Sequence, residues 1–245
     1  MRETLLALLR APVDDAVAVV ASFEADARAR RLMVLLAAGA AAWWIYVPIH
    51  ELLHVLGCVA GGGTVTRLEI DPIYGAALLQ RLFPFIAVGS EYAGQLTGFD
   101  PGGDASHLLT DFLPFAFTIF VGVPLLRAAA RARPGVGQAA LMGAALPVAW
   151  APFVSLAGDY FEMGTIIVSR VVAAAAPGFD LVRWRSDDLF KKAGELWASD
   201  GGIADAVGLS ASLLVGALLA LLTYAAGGLW SDVLTRRRPV GAEAA

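Results

Sequence analysis

Four long apolar runs divide this chain. The first covers residues 32–49 (LMVLLAAGAAAWWIYVPI), 18 positions without a charge, and its apolar character continues to residue 58. That length spans most of a hydrocarbon layer about 30 Å thick. The second run covers about 108–126; it holds Asp111 near its start and is followed by Arg127, Arg131 and Arg133. The third lies within 134–158, 25 uncharged residues between Arg133 and Asp159, and the fourth within 206–231, 26 uncharged residues closed by Asp232 and Arg236, Arg237 and Arg238. Each run predicts a membrane-crossing helix. Residues 160–176 are apolar too, but carry Glu162 and Arg170. They either continue the third helix past a bend, which Pro147 and Pro152 favour, or form a separate half-helix.

Between the first two runs the periodicity changes. Gly61, Gly62 and Gly63 end the first helix, and Thr64 to Asp71 then alternates with the period of two of a strand. Pro72 to Gly75 predicts a turn, and 76–88 a return strand or a re-entrant segment, so that a β-hairpin is expected over about 63–88. Residues 89–107 and 178–204 are polar and predict loops; in the latter, Trp184 and Trp197 suit a membrane interface. Residues 3–30 predict an amphipathic helix on a membrane or protein surface, or a poorly ordered leader, and not a signal peptide, because Asp14 and Asp15 follow the short apolar stretch Leu5–Leu9. The expected architecture is mainly α: a polytopic membrane helix bundle of about four spans with a short membrane-associated β-hairpin after the first. Its parts are 1–31, a core over 32–176, and 177–245 with the final span.

Composition agrees. Of 245 residues, 58% are hydrophobic and 16% charged, against about 45–50% and 25% in soluble domains. This points to an integral, multi-pass membrane protein, with the lipid bilayer as a partner, most simply in the cell membrane. No basic stripe interleaves with aromatics, which argues against nucleic acid. Counted span by span, eleven of the 18 lysines and arginines fall on the side of the termini. The positive-inside rule then places both termini in the cytoplasm. The single cysteine, Cys58, excludes an intrachain disulfide.

One motif carries chemistry. His50-Glu51-Leu52-Leu53-His54 is an HExxH pattern at the end of the first span. On a helix, positions i and i+4 share a face, so the two imidazoles stand about 6 Å apart along the axis and can meet one Zn2+. Glu51 is then the general base that takes a proton from water. A catalytic zinc uses a third protein ligand. Asp159 is the first candidate, because it stands alone at the end of 25 uncharged residues; Asp111, four residues after His107, is the second. Glu162 is a candidate acceptor for a ligand histidine or a substrate contact, and His107 is expected in a solvated loop. Cys58 lies about 12 Å along the axis from His50, too far to share the ion, and is expected to pack as a small apolar residue.

The stretch HELLHVLGCVAGGGTVTRLEIDPIYG resembles the site-2 protease family of intramembrane zinc metalloproteases, over about residues 32–176. The resemblance implies HExxH on a membrane helix, a Gly-rich segment and membrane-associated strand, and an aspartate of a third core helix as the last zinc ligand, here Asp159. It implies hydrolysis of a peptide bond in a membrane-protein or peptide substrate, with the strand at 64–71 pairing with the unwound segment. Two other functions fit the composition: a non-catalytic subunit of a membrane complex that keeps the fold, and a transporter with buried His and Glu on an ion path.

Overall fold

The computed structural model describes residues 2–21, 23, 27–199 and 201–236; Arg237 and Arg238 of the basic C-terminal cluster lie outside them. The protein is mainly helical. Among the described residues the order is α1 (Arg2–Ala21), α2 (Arg28–Ala60), β1 (Thr64–Ile70), α3 (Ala76–Leu82), β2 (Ile86–Val88), β3 (Gly94–Asp100), α4 (Asp104–Phe112), α5 (Val123–Arg131), α6 (Val136–Val154), α7 (Asp159–Ala175), α8 (Leu189–Ala198) and α9 (Ile203–Arg236). Four helical stretches are long and apolar enough to cross a membrane: Arg28–Ala60, Asp104–Arg131, Val136–Ala175 and Ile203–Arg236. They match the four apolar runs. They also leave large apolar side chains uncovered, such as Leu36, Ile45, Leu56, Leu214 and Leu229, each more than half exposed.

The chain divides into two compact units. The first comprises Met1–Tyr46, Ala116–Ala151 and Leu221–Ala245. In it, Arg127 and the Tyr224 hydroxyl both donate to Asp15 Oδ2, at 3.0 and 2.9 Å, which fastens α1. Leu9, Val13, Val17 and Val20 run exposed along one stripe of α1, an apolar face at helical spacing.

The second unit, Val47–Phe115 and Pro152–Ala220, holds the motif. Its sheet has the order β2-β1-β3. Leu68, Ile70, Ala76 and Ile86 are buried against Leu52 and Val55 of α2. Burying each large side chain of that set stabilises the fold by roughly 1.5–3 kcal/mol. The sheet therefore packs directly on the helix that carries HExxH.

This sheet differs from the expected hairpin. Residues 76–82 are helical, and β2 runs parallel to β1 with Leu68 opposite Ile86. The antiparallel partner of β1 is β3, with Leu68 opposite Leu96 and Ile70 opposite Gly94, in a segment whose glycines predicted a loop. Gly98 explains the discrepancy. It pairs with Arg67 where the register shifts, and a Cβ there would lie 2.6 Å from Thr66 Oγ1. A residue that reads as a strand breaker is the one that fits the bulge. Helices α4 and α8 likewise form in parts of the two polar segments.

The third apolar run is interrupted. Turns at 155–158 separate α6 from α7, so residues 160–175 lie in a distinct helix beginning at Asp159. Reciprocal close approaches of Gly164 to Ser212 and of Gly216 to Tyr160 seat α7 on α9, as small residues do wherever helix backbones must come close.

Candidate metal centre

His50 and His54 lie one turn apart on α2, and Asp159 is the first residue of α7. All three belong to the second unit. The two Nε2 atoms are 3.1 Å apart. Asp159 Oδ2 lies 3.3 Å from His50 Nε2, and Oδ1 lies 3.6 Å from His54 Nε2. Four tetrahedral ligands at zinc distances of 2.0–2.2 Å stand about 3.3–3.6 Å from one another. The donor types and their spacing thus fit a divalent ion, and the three residues form a group able to hold one.

The surroundings orient these donors. His54 Nδ1 is 2.9 Å from the Thr110 carbonyl. That oxygen can only accept, so Nδ1 carries the proton and Nε2 presents its lone pair. Gly57 permits the contact: a Cβ there would stand 2.6 Å from the Leu109 carbonyl and 2.9 Å from Thr110 Cα. Gly61, four residues on, approaches Ser106 in the same way. The spacing of these two glycines was a readable sign of a close helix crossing; Thr110 had no sign of its own. His50 packs edge-on to Phe115, with ring centroids 5.3 Å apart. On the other side, Ser155 Oγ donates to Asp159 Oδ2 at 2.6 Å and accepts from the Asp159 N–H at 3.3 Å. Asp159 also stands at a helix N-terminus, where exposed N–H groups favour a carboxylate.

Glu51 is 8% exposed and faces β3. A Cβ on Gly94 would come within 2.6 Å of its Cδ, so only glycine leaves the carboxyl its place. Glu51, both histidines and Asp159 line a cavity of about 530 Å3, together with Gly94 and Gln95 of β3. Its size is that of a small-ligand or peptide cleft. The segment after α7 forms part of the rim: Gln95 donates to Asp187 at 2.7 Å and Tyr92 to Asp188 at 2.9 Å. The Asp188 carboxyl is held below the usual range, first by the Lys191 backbone N–H and also by the Tyr92 hydroxyl. That hydroxyl is pushed above its ordinary value by Asp188.

The remaining candidates fall elsewhere. Asp111 does not join the two histidines; it groups with His107 and Glu162. His107 lies on α4 with a side chain 15% exposed, not in a solvated loop. Glu162 lies 3.0 Å from His107 Nε2, so the histidine it faces is not one of the HExxH pair. Cys58 is fully buried, 3.7 Å from the Thr64 carbonyl. Trp184 is 5% exposed and donates to Asp205 at 3.0 Å, whereas Trp197 is 90% exposed. Strand β1 has a neighbour on each side and has no edge to offer a substrate; β3 does, and it lines the cavity. Compared with family models, curated proteins and solved structures, the chain matches none, so its functional reading rests on its own residues.

Proposed function

We propose that this chain is a multi-pass intramembrane zinc-dependent endopeptidase of the site-2 protease type. The observation that supports it best is the convergence of His50, His54 and Asp159 donors with Glu51 beside them. These groups lie on helices apolar enough to span a membrane. Burying such groups at mid-membrane costs about 2.5 kcal/mol or more for each charge, so they persist there for a function.

His50, His54 and Asp159 would hold the ion. When bound, it supplies Lewis acidity, acidifying a water molecule and polarising the scissile carbonyl. Glu51 takes the proton from the attacking water as the new C–O bond forms, and returns it to the amine nitrogen as the C–N bond breaks. The Thr110 carbonyl keeps the His54 tautomer fixed, and Ser155 holds Asp159 in place. A helical substrate satisfies its backbone internally and must unwind before it is cut. The open edge of β3 offers the unwound segment backbone partners beside Glu51. Termini in the cytoplasm, the cell membrane as location, and a membrane-protein substrate complete the proposal.

The test is Glu51→Gln in the full chain, with zinc content and cleavage of a membrane-embedded peptide measured together. Loss of cleavage by about 100- to 10,000-fold with zinc retained is the expected result. Equal turnover by the variant and the parent overturns the assignment. Zinc uptake by a parent that cleaves no membrane peptide would favour a non-catalytic subunit of a membrane complex.

A further inference from the structure

Helices α4 and α7 meet along a seam whose charges are balanced at one end only. There, Asp104 is bound by Arg170 and by Arg185, the latter at 2.7 Å. Further along, acid meets acid. Asp111, with a side chain 5% exposed, groups with Glu162 and His107. Besides His107, 3.9 Å away, Asp111 faces the carboxylates of Glu162, Asp159 and Asp187. Arg185 lines the same cavity; its Nη2 bonds Asp104 at 2.7 Å, while its Nε is buried without a hydrogen-bond partner.

Two atoms in this cluster are unsatisfied. Asp111 Oδ2 is buried without a hydrogen-bond partner, and buried His107 Nε2 meets Glu162 Oε1 at 3.0 Å only as an ion-pair contact, without hydrogen-bond geometry. A buried acceptor left unmade costs about 1–3 kcal/mol, and more if charged. The donors converge: His107 Nε2 is 3.0 Å from Glu162 Oε1 and 3.9 Å from Asp111 Oδ1, and the three ligand atoms lie within 4.8 Å of one another. The 3.0 and 3.9 Å separations bracket the 3.3–3.6 Å expected between donors about 2.0–2.2 Å from one ion, so small side-chain shifts bring the three onto a shared cation.

We propose that His107, Asp111 and Glu162 form a second divalent-cation site, which clamps α4 to α7 beside the HExxH centre. One imidazole and two carboxylates carry a net charge of about −2 when His107 is neutral, which a divalent ion cancels. The clamp has a defined consequence for the first centre. Asp111 follows Thr110, whose carbonyl orients His54, and Glu162 stands one turn beyond Asp159 on α7. The second ion thereby positions one ligand element of each kind: the carbonyl that sets the histidine tautomer, and the helix that brings the aspartate.

The donor sets share no residue, so this site and the proposed protease centre can fail separately. The experiment strips the full chain in detergent with chelator and titrates it with Zn2+ alone. Two ions per chain are expected in the parent. His54→Ala, Asp111→Asn and Glu162→Gln should each retain one, and His54→Ala with Glu162→Gln none. A single ion that Glu162→Gln leaves and His54→Ala removes overturns the second site while the first stands. A single ion with the opposite dependence overturns the first and supports the second, and no uptake at all overturns both. The parent's count needs no variant to fold, and uptake of one ion in place of two already contradicts the pair.

Discussion

The two donor groups of this protein are built alike and balanced differently. Each takes an i, i+4 pair from one helix and a carboxylate from the first turn of α7: His50 and His54 with Asp159, and His107 and Asp111 with Glu162. In the first, two imidazoles meet one carboxylate, and outer partners engage the donors. The Thr110 carbonyl holds His54, Ser155 holds Asp159, and Gly94 leaves room for Glu51. In the second, one imidazole meets two carboxylates and two buried atoms stand unsatisfied. The His107 ring, like that of His50, packs edge-on to a phenylalanine, Phe99, with centroids 5.5 Å apart; what sets the second group apart is its spare acid and the unsatisfied Asp111 oxygen, which suit a cation that holds helices together. The oriented imidazoles of the first group, with a carboxyl beside them, are what the endopeptidase proposal rests on. The lesson is that groups alike in ligand spacing differ in charge balance and in how their donors are held.

That contrast can be broken at several points. The largest effect is expected for His54→Ala. Zinc affinity at the first group should fall by more than the 10- to 100-fold that loss of an outer partner costs, with the second group unchanged. Isothermal titration of the full chain checks this, and equal weakening at both groups would merge them into one site. Next comes Gly94→Ala. The atoms nearest its Cβ all belong to Glu51, and misplacing a reacting group by about 1 Å can cost about 100-fold in turnover. Turnover should fall while zinc content holds; a loss of zinc would instead mean that β3 supports the ligands. Ser155→Ala removes the hydrogen bond to Asp159, and about a tenfold loss in affinity at the first group is expected. An unchanged titration would show that the α7 N-terminus alone orients that carboxylate.

The smallest effect belongs to the rim, outside both groups. Asp188 is held below its ordinary pKa, so its contribution is present above about pH 4 and is lost as pH falls through the lowered value. Tyr92 is raised, so its contribution is present below about pH 10 and is lost as pH rises through the higher value. Tyr92→Phe should therefore lower thermal stability slightly between those limits, by at most about 0.5 kcal/mol for so exposed a pair, and not below pH 4. Melting curves across pH in detergent measure it, and an equal deficit at pH 3 would assign the effect to packing.

Several parts of this protein were legible in the order of its residues. The four apolar runs mark four helices because a helix able to cross a membrane needs little more than length and the absence of charge. The HExxH pair was legible because i and i+4 meet on any helix, whatever surrounds it. Strand β1 was legible by its alternation, and Asp159 stood out as a lone carboxylate after an uncharged run. Residues 76–100 were not. Short segments rich in glycine and leucine have no decisive period, and there the neighbours choose: β1 crowds Gly98 into a strand and the bulge takes up the mismatch.

Local pattern by itself determined which segments are apolar helices and that two imidazoles share a face, since both follow from spacing along one axis. Only the tertiary structure decided which acid joins them. Asp111 and Asp159 are both carboxylates at helix ends, and the choice depends on how α4 and α7 pack. The glycines at 57 and 61 let α4 approach until Thr110 reaches His54, and the break at 155–158 starts α7 where Asp159 meets both rings. Such contacts join residues more than fifty or a hundred positions apart, and no periodicity along the chain records them.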